Sequence, residues 1–237
     1  MYSLSFKRRG LLIYFFGVEG VGKTTHINLL LVWLHKKGYP VKGPVHIRSD
    51  HLILYILKKF FILIGRKDVD RRPNGSKIIV VQRDVIRKIK YLWIFLNILM
   101  SLALAMWQVH VPMKMGYVVV AERFLFDTYV DLLNMLKILG LRYSGIIKWA
   151  MRLLLYSIPS NTVVIHLQAP YEELLRRYMW RGTPVEPRQW ITLNERIHNV
   201  LLKAYNNIIL ISLDTSKYHI VKAQSIIRES VEKVLKS

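Results

Sequence analysis

Residues 17–24 read GVEGVGKT, and they lie between a short apolar run, Gly10 to Phe16, and a helical stretch from Thr24 to Lys37. Every fixed position of G-x-x-x-x-G-K-[ST] is filled, in the strand–loop–helix context that gives the pattern its meaning. Gly17, Gly20 and Gly22 let successive backbone N–H groups turn inward around a polyphosphate, with Val21 filling the turn. The helix that follows presents its positive end. Lys23 adds a charge that can follow the outer phosphates, and Thr24 is placed to hold Mg²⁺. A chain with this element must build a strand whose carboxyl end is open to a ligand, which points to a layered α/β architecture.

The rest of the chain repeats that alternation. Candidate strands are Gly10 to Phe16, Tyr39 to Ile47, Tyr117 to Ala121, Thr162 to Leu167 and Ile208 to Leu213, all poor in charge, as strands buried on both faces are. Helical stretches are expected at Thr24 to Lys37, Asp127 to Leu139, Tyr171 to Trp180, Glu195 to Asn206 and Tyr218 to Leu235. The expected class is α/β, a five-stranded parallel sheet with helices on both faces. Residues 1–237 are read as a single domain, in which Gly65 to Lys77 is a loop. A hydrophobic fraction of 52% supplies the core, and the absence of cysteine excludes disulfides, thiolate metal sites and a Cys nucleophile. No secretory signal is apparent, so a cytoplasmic address is expected. The net charge of +21 favours anionic ligands, but no motif that reads RNA or DNA is visible and no nucleic-acid partner is expected.

Tyr91 to Trp107 is seventeen residues without a formal charge. At about 25 Å as a helix it falls short of a bilayer core of roughly 30 Å. The expectation is a helix buried in the core or across a subunit contact, with membrane insertion the alternative. Lysines on both sides (Lys88, Lys90, Lys114) give no topology signal.

Phe15 to Thr25, FFGVEGVGKTT, resembles the opening of the thymidylate kinases and their relatives among the nucleoside monophosphate kinases. Val118 to Asp131, VVVAERFLFDTYVD, resembles the family's strand ending in Asp-Arg-Tyr or Asp-Arg-Phe. Arg177 and Arg181 in LLRRYMWRG resemble its lid arginines, and Ile209 to Ile227, with Lys217, its last strand and adenine-side loop. The likeness covers most of the chain but is weak from about Asp50 to Met113. Phe16 stands where the family usually has Glu, and Glu122 where it usually has Asp. The resemblance implies a P-loop kinase fold with a short lid near residues 180–190, ATP as donor with Mg²⁺, and a deoxynucleoside monophosphate acceptor, dTMP first. It also implies a homodimer. Another acceptor is the alternative within the kinases, and an ATPase associated with nucleic acid or membrane is the alternative outside them.

Phosphoryl transfer needs residues that position two anions and cancel developing charge. Lys23, Arg123, Arg181 and Glu122 are the catalytic candidates. Arg123 ends a buried strand and so faces the crevice where open α/β sheets bind ligands; Glu122 can reach a metal-bound water. Gly17, Glu19, Gly20, Val21, Gly22, Lys23, Thr24 and Thr25, with Arg177 and Lys217, would hold ATP, and Thr24 and Glu122 the metal. Arg177 and Arg181 are one helical turn apart, with Gly182, Thr183 and Pro184 releasing the chain into the lid and Arg188 as a second lid cation. By the resemblance Arg48 grips the acceptor phosphate. Glu19 either bonds an acceptor sugar hydroxyl or is a solvated loop residue. Asp127 either contacts the acceptor or metal-bound water or caps its helix. For the base, Arg83, Arg87, Gln108 and His110 are candidates, while Trp93 and Trp107 fit a base pocket or a core.

Overall fold

The computed structural model describes residues 10–47, 52–71, 77–138, 140, 144–204 and 208–236. In chain order the elements are β1 (Leu11–Phe16), α1 (Lys23–Lys36), β2 (Val41–His46), α2 (Leu52–Leu63), β3 (Lys67–Arg71), β4 (Lys77–Val81), α3 (Arg83–Lys88) and α4 (Lys90–Ala105). A π-turn, Met106–His110, carries α4 into α5 (Val111–Lys114). Then come β5 (Val118–Arg123), α6 (Leu125–Ile138), α7 (Gly145–Tyr156), β6 (Thr162–Gln168), α8 (Tyr171–Arg181), α9 (Arg188–Ala204), β7 (Ile209–Asp214) and α10 (Ile220–Lys236).

Five parallel strands form one sheet in the order β2-β5-β1-β6-β7. The run LLIYFF makes β1 the central strand because alternate residues feed opposite faces and both faces are covered. Leu12, Tyr14 and Phe16 join a core with residues of α4, α6 and α7. Leu11, Ile13 and Phe15 join a second core with α1, α8 and α10. After β1 the chain moves to the β2 side, and β6 and β7 lie on the other. The carboxyl end of β1 therefore opens into the crevice where such sheets take ligands.

The expected α/β class and five-stranded parallel sheet are what the structure has, and it is the P-loop kinase fold. Other expectations are corrected. The supposed loop Gly65 to Lys77 contains β3, which pairs antiparallel with β4 as a separate two-stranded unit, while residues 72–76 lie outside the described residues. Helix α6 begins at Leu125, so Asp127 sits in its first turn and not at its cap. Helices α2 and α7 arise where none was expected, and α9 begins at Arg188, well before Glu195. Tyr91 to Trp107 is helical, and its inner side, Ile94, Ile98 and Ala105, joins the core as expected, while Leu92, Phe95, Leu99 and Trp107 stay exposed.

Candidate active site

The loop after β1 is shaped by its glycines. Gly17 has φ 144° and packs so tightly on β6 that a Cβ there would come within 2.3 Å of the Leu167 carbonyl oxygen. Gly22 has φ 93° and precedes α1 without any side-chain cap, and the first turn of α1 carries no acidic residue. No side chain of α1 itself caps its N-terminal N–H groups, which suits that end to an anionic ligand. Helix α8 secures the loop from outside. Arg177 donates to the Gly20 carbonyl (3.1 Å) and the Tyr178 hydroxyl to the Glu19 carbonyl (3.1 Å).

Lys23 Nζ donates to the carbonyls of Gly17 (2.7 Å) and Val18 (2.8 Å). Burial lowers its pKa to about 8, against the opposing pull of Asp127. At the end of β5, Glu122 accepts a hydrogen bond from the Thr24 hydroxyl (2.5 Å), and its other oxygen lies 3.6 Å from His46 Nε2. Two hard oxygen donors side by side at the phosphate loop suit Mg²⁺, which takes few protein ligands and completes its shell with phosphates and water.

Asp127 lies deeper. It accepts from the Tyr14 hydroxyl and from the Phe124 N–H (3.0 Å), the latter being the third-position half of a capping box. Burial raises its pKa while the Arg123 cation opposes the rise. Arg123 is held above its usual value by Asp127, Asp131 and Glu19, which outweigh its own desolvation, so it is a permanent cation.

Two clefts meet here. One, about 240 Å³, is lined by Glu19, Gly20, Gly22, Lys23, Thr24, Thr25, Glu122, Arg123 and Arg181. The other, about 210 Å³, runs from Gly17, Val18, Glu19, Lys23, Arg123 and Asp127 to a far wall that includes Asp131, Asn134, Glu186, Trp190, Asn194 and His198. Glu19, Lys23 and Arg123 belong to both. Glu19 is exposed at the rim where they join.

The sequence candidates therefore separate. Lys23, Thr24, Thr25, Glu122, Arg123, Arg181, Glu19 and Asp127 are brought together. Arg177 lines neither cleft. Its guanidinium is engaged by Glu173, Gly20 and Thr215, which ties the loop to the turn after β7. Arg188 pairs with Glu172 (3.6 Å) over the Tyr171 ring, and Lys217 with Asp214 (3.7 Å). Neither lines a cleft. Arg48 lies outside the described residues, and Gln108, His110, Trp93 and Trp107 line neither cleft. Sequence reading missed Glu186, Trp190, Asn194 and His198. The spacing of Trp190, Asn194 and His198, four residues each, was the available signal for one helix face. His198 is 5% exposed, its Nδ1 has no partner, and its ring centre stands 4.0 Å from that of Phe16, the residue that departs from the resembled family.

No family model matches the chain, and no curated protein matches it. Among solved structures, one similar to it is the thymidylate kinase of Candida albicans, described as revealing the origin of broad substrate specificity and a novel structural element. The two share 15% identity with a TM-score of 0.56, over 95% of this chain and 92% of that one, which is a likeness of fold.

Proposed function

We propose that this chain is an ATP- and Mg²⁺-dependent kinase that moves the γ-phosphoryl group to a nucleoside monophosphate, dTMP first among acceptors. The observation that carries the reading is the pair of clefts sharing Lys23 and Arg123, because a transferring phosphoryl must pass between two bound anions past fixed positive charge. The triphosphate occupies the Lys23–Thr24–Arg181 cleft, on the loop N–H groups. An acceptor phosphate oxygen attacks the γ-phosphorus, the bond to the β–γ bridging oxygen breaks, and ADP leaves. Arg123 and Lys23 face the charge that moves. Thr24 and Glu122 would hold the metal, which neutralises phosphate charge when bound. The far wall of the acceptor cleft carries Asp131, Asn134, Glu186 and Asn194, groups that bond hydroxyls and amides and not a bare anion, so the acceptor enters phosphate first. Arg48 is retained as a further acceptor-phosphate ligand on the resemblance alone, and the segment near 180–190 as the lid.

The test is a transfer assay with labelled ATP against dTMP, other nucleoside monophosphates, sugars and a no-acceptor control. Label is expected in dTDP. Release of free phosphate stimulated by nucleic acid, with no labelled nucleotide, would replace the kinase by an ATPase. Arg181 sits exposed at the donor rim, where a cation contributes mainly once the cleft closes. Arg181→Ala is expected to lower kcat by about 10²-fold or more with little change in the dissociation constant for ATP. Steady-state kinetics beside equilibrium titration check this, and an unchanged kcat removes Arg181 from the role.

A further inference from the structure

Helix α4 is apolar on both its inner and its outer side. Its buried side carries Asn97 and Ser101 beside Ile94, Ile98 and Ala105, and Asn97 Nδ2 turns back to donate to the Trp93 carbonyl (2.9 Å). Its outward side carries Leu92, Phe95 and Leu99 and continues to Met106 and Trp107, with Phe95 58% and Trp107 71% exposed. Positions 92, 95, 99 and 106 fall on one stripe. An amphipathic surface helix keeps the apolar inner side but turns polar residues outward.

The neighbours extend the feature. Helix α4 packs against both α2 and α7. Helix α2 exposes Tyr55, Ile56 and Phe60, and α7 exposes Ile146, Trp149 and Tyr156. Large apolar side chains exposed on three helices that pack together mark an interaction site.

Charge selects the partner. Over residues 52–63, 90–114 and 145–156 there is no Asp or Glu, while Lys58, Lys59, Lys90, Lys114, Lys148 and Arg152 all fall there. Lys59 Nζ lies 4.8 Å from the centre of the Tyr55 ring and Lys90 Nζ 5.1 Å from that of Tyr91. Aromatic rings with ammonium groups at their faces suit a lipid headgroup region. A second copy on this face would set lysine against lysine with no carboxylate on these helices to pair them. Anionic headgroups remove that repulsion. Helix α4 also packs on α6 and runs through α5 into β5 of the central sheet, so it lies along a bilayer surface and does not cross it.

We infer that the outward faces of α2, α4 and α7 dock the protein onto an anionic lipid bilayer in a peripheral mode. None of the residues lining the two clefts is on these helices, so the inference stands or falls apart from the proposed kinase activity.

The experiment is sedimentation of the full chain with phosphatidylcholine vesicles containing phosphatidylglycerol, against pure phosphatidylcholine vesicles. Wild type is expected to pellet with the former, less so at high salt. Two variant sets are compared: Phe95→Ser with Trp107→Ser and Trp149→Ser, and Lys59→Glu with Lys90→Glu and Lys148→Glu. Each is expected to lower partitioning by about tenfold or more, with vesicle-free phosphoryl transfer equal to wild type. The tryptophan emission of wild type should shift to the blue on anionic vesicles, a readout that needs no variant. Wild type left in the supernatant, emission that does not move, or serine variants that bind as wild type does would each overturn the inference. So would light scattering of a dimer that the serine substitutions split, with no vesicle binding.

Discussion

Lys23→Ala is expected to lower phosphoryl transfer by about 10²- to 10³-fold or more while the chain stays folded. Lys23 spends two of its three donors on the Gly17 and Val18 carbonyls, which fixes its amine at the junction of both clefts. Its surroundings already remove part of its water, which lowers its pKa to about 8. Part of the cost of desolvating a cation is therefore met before a phosphate arrives, and more of the attraction is available when charge shifts in the transition state. Alanine removes that attraction. In the empty protein it removes two hydrogen bonds and a desolvation cost together, and the orphaned carbonyls open onto a wet cleft, so the change in stability is expected to stay within about 1 kcal/mol. Label transfer and thermal unfolding, measured side by side, check both halves. Near-normal transfer would remove the mechanism. Lost transfer with a collapsed melting transition would show that the lysine acts through the fold.

What could be read in the sequence divides along the range of the interactions involved. The phosphate loop was legible because its chemistry is local: LLIYFF, three glycines and Lys23 act within fourteen residues of chain. Strand ends at Glu122 and Arg123 were legible because a charge closing a buried strand has one crevice to face. The far wall of the 210 Å³ cleft was not, since Trp190, Asn194 and His198 reach it only once α9 has packed against α6, with Glu186 just before that helix. Arg177 shows the converse. Its helical spacing from Arg181 was read correctly, but Glu173 one turn back and Thr215 after β7 claim its guanidinium, and a partner 38 residues away leaves no local trace. The run from Tyr91 to Trp107 could not be placed by hydropathy, which is blind to direction. Only the packed helix shows that Ile94, Ile98 and Ala105 face in while Phe95, Leu99 and Trp107 face out.

Acidification from neutral pH to about pH 5 is expected to cost much of the folding stability, through two histidines that the fold holds neutral. His166 and His198 are 2% and 5% exposed. Burial pushes His166 down to about 4; burial, with His166 and Lys23 nearby, pushes His198 down to about 3. In the unfolded chain each titrates near its ordinary value of 6.5. The native state is thus favoured fully above about pH 6.5. As pH falls, the unfolded state binds protons the native state refuses, and the loss approaches about 1.4 kcal/mol per histidine per pH unit. It continues until pH nears about 4 for His166 and about 3 for His198. Two such groups remove several kcal/mol from a total of about 5–15 kcal/mol. Asp127, Glu186 and Glu195 act in the other direction, because burial raises each of them and the native state takes up their protons first. The histidine contribution is isolated by His198→Phe, which places an apolar ring against Phe16, 4.0 Å away centre to centre, and can no longer bind a proton. Urea unfolding at stepped pH should show a steep fall for wild type and about half that slope for the variant. Equal slopes would mean that His198 opens to water before it titrates, and that its packing against Phe16 is looser than the 4.0 Å ring contact implies.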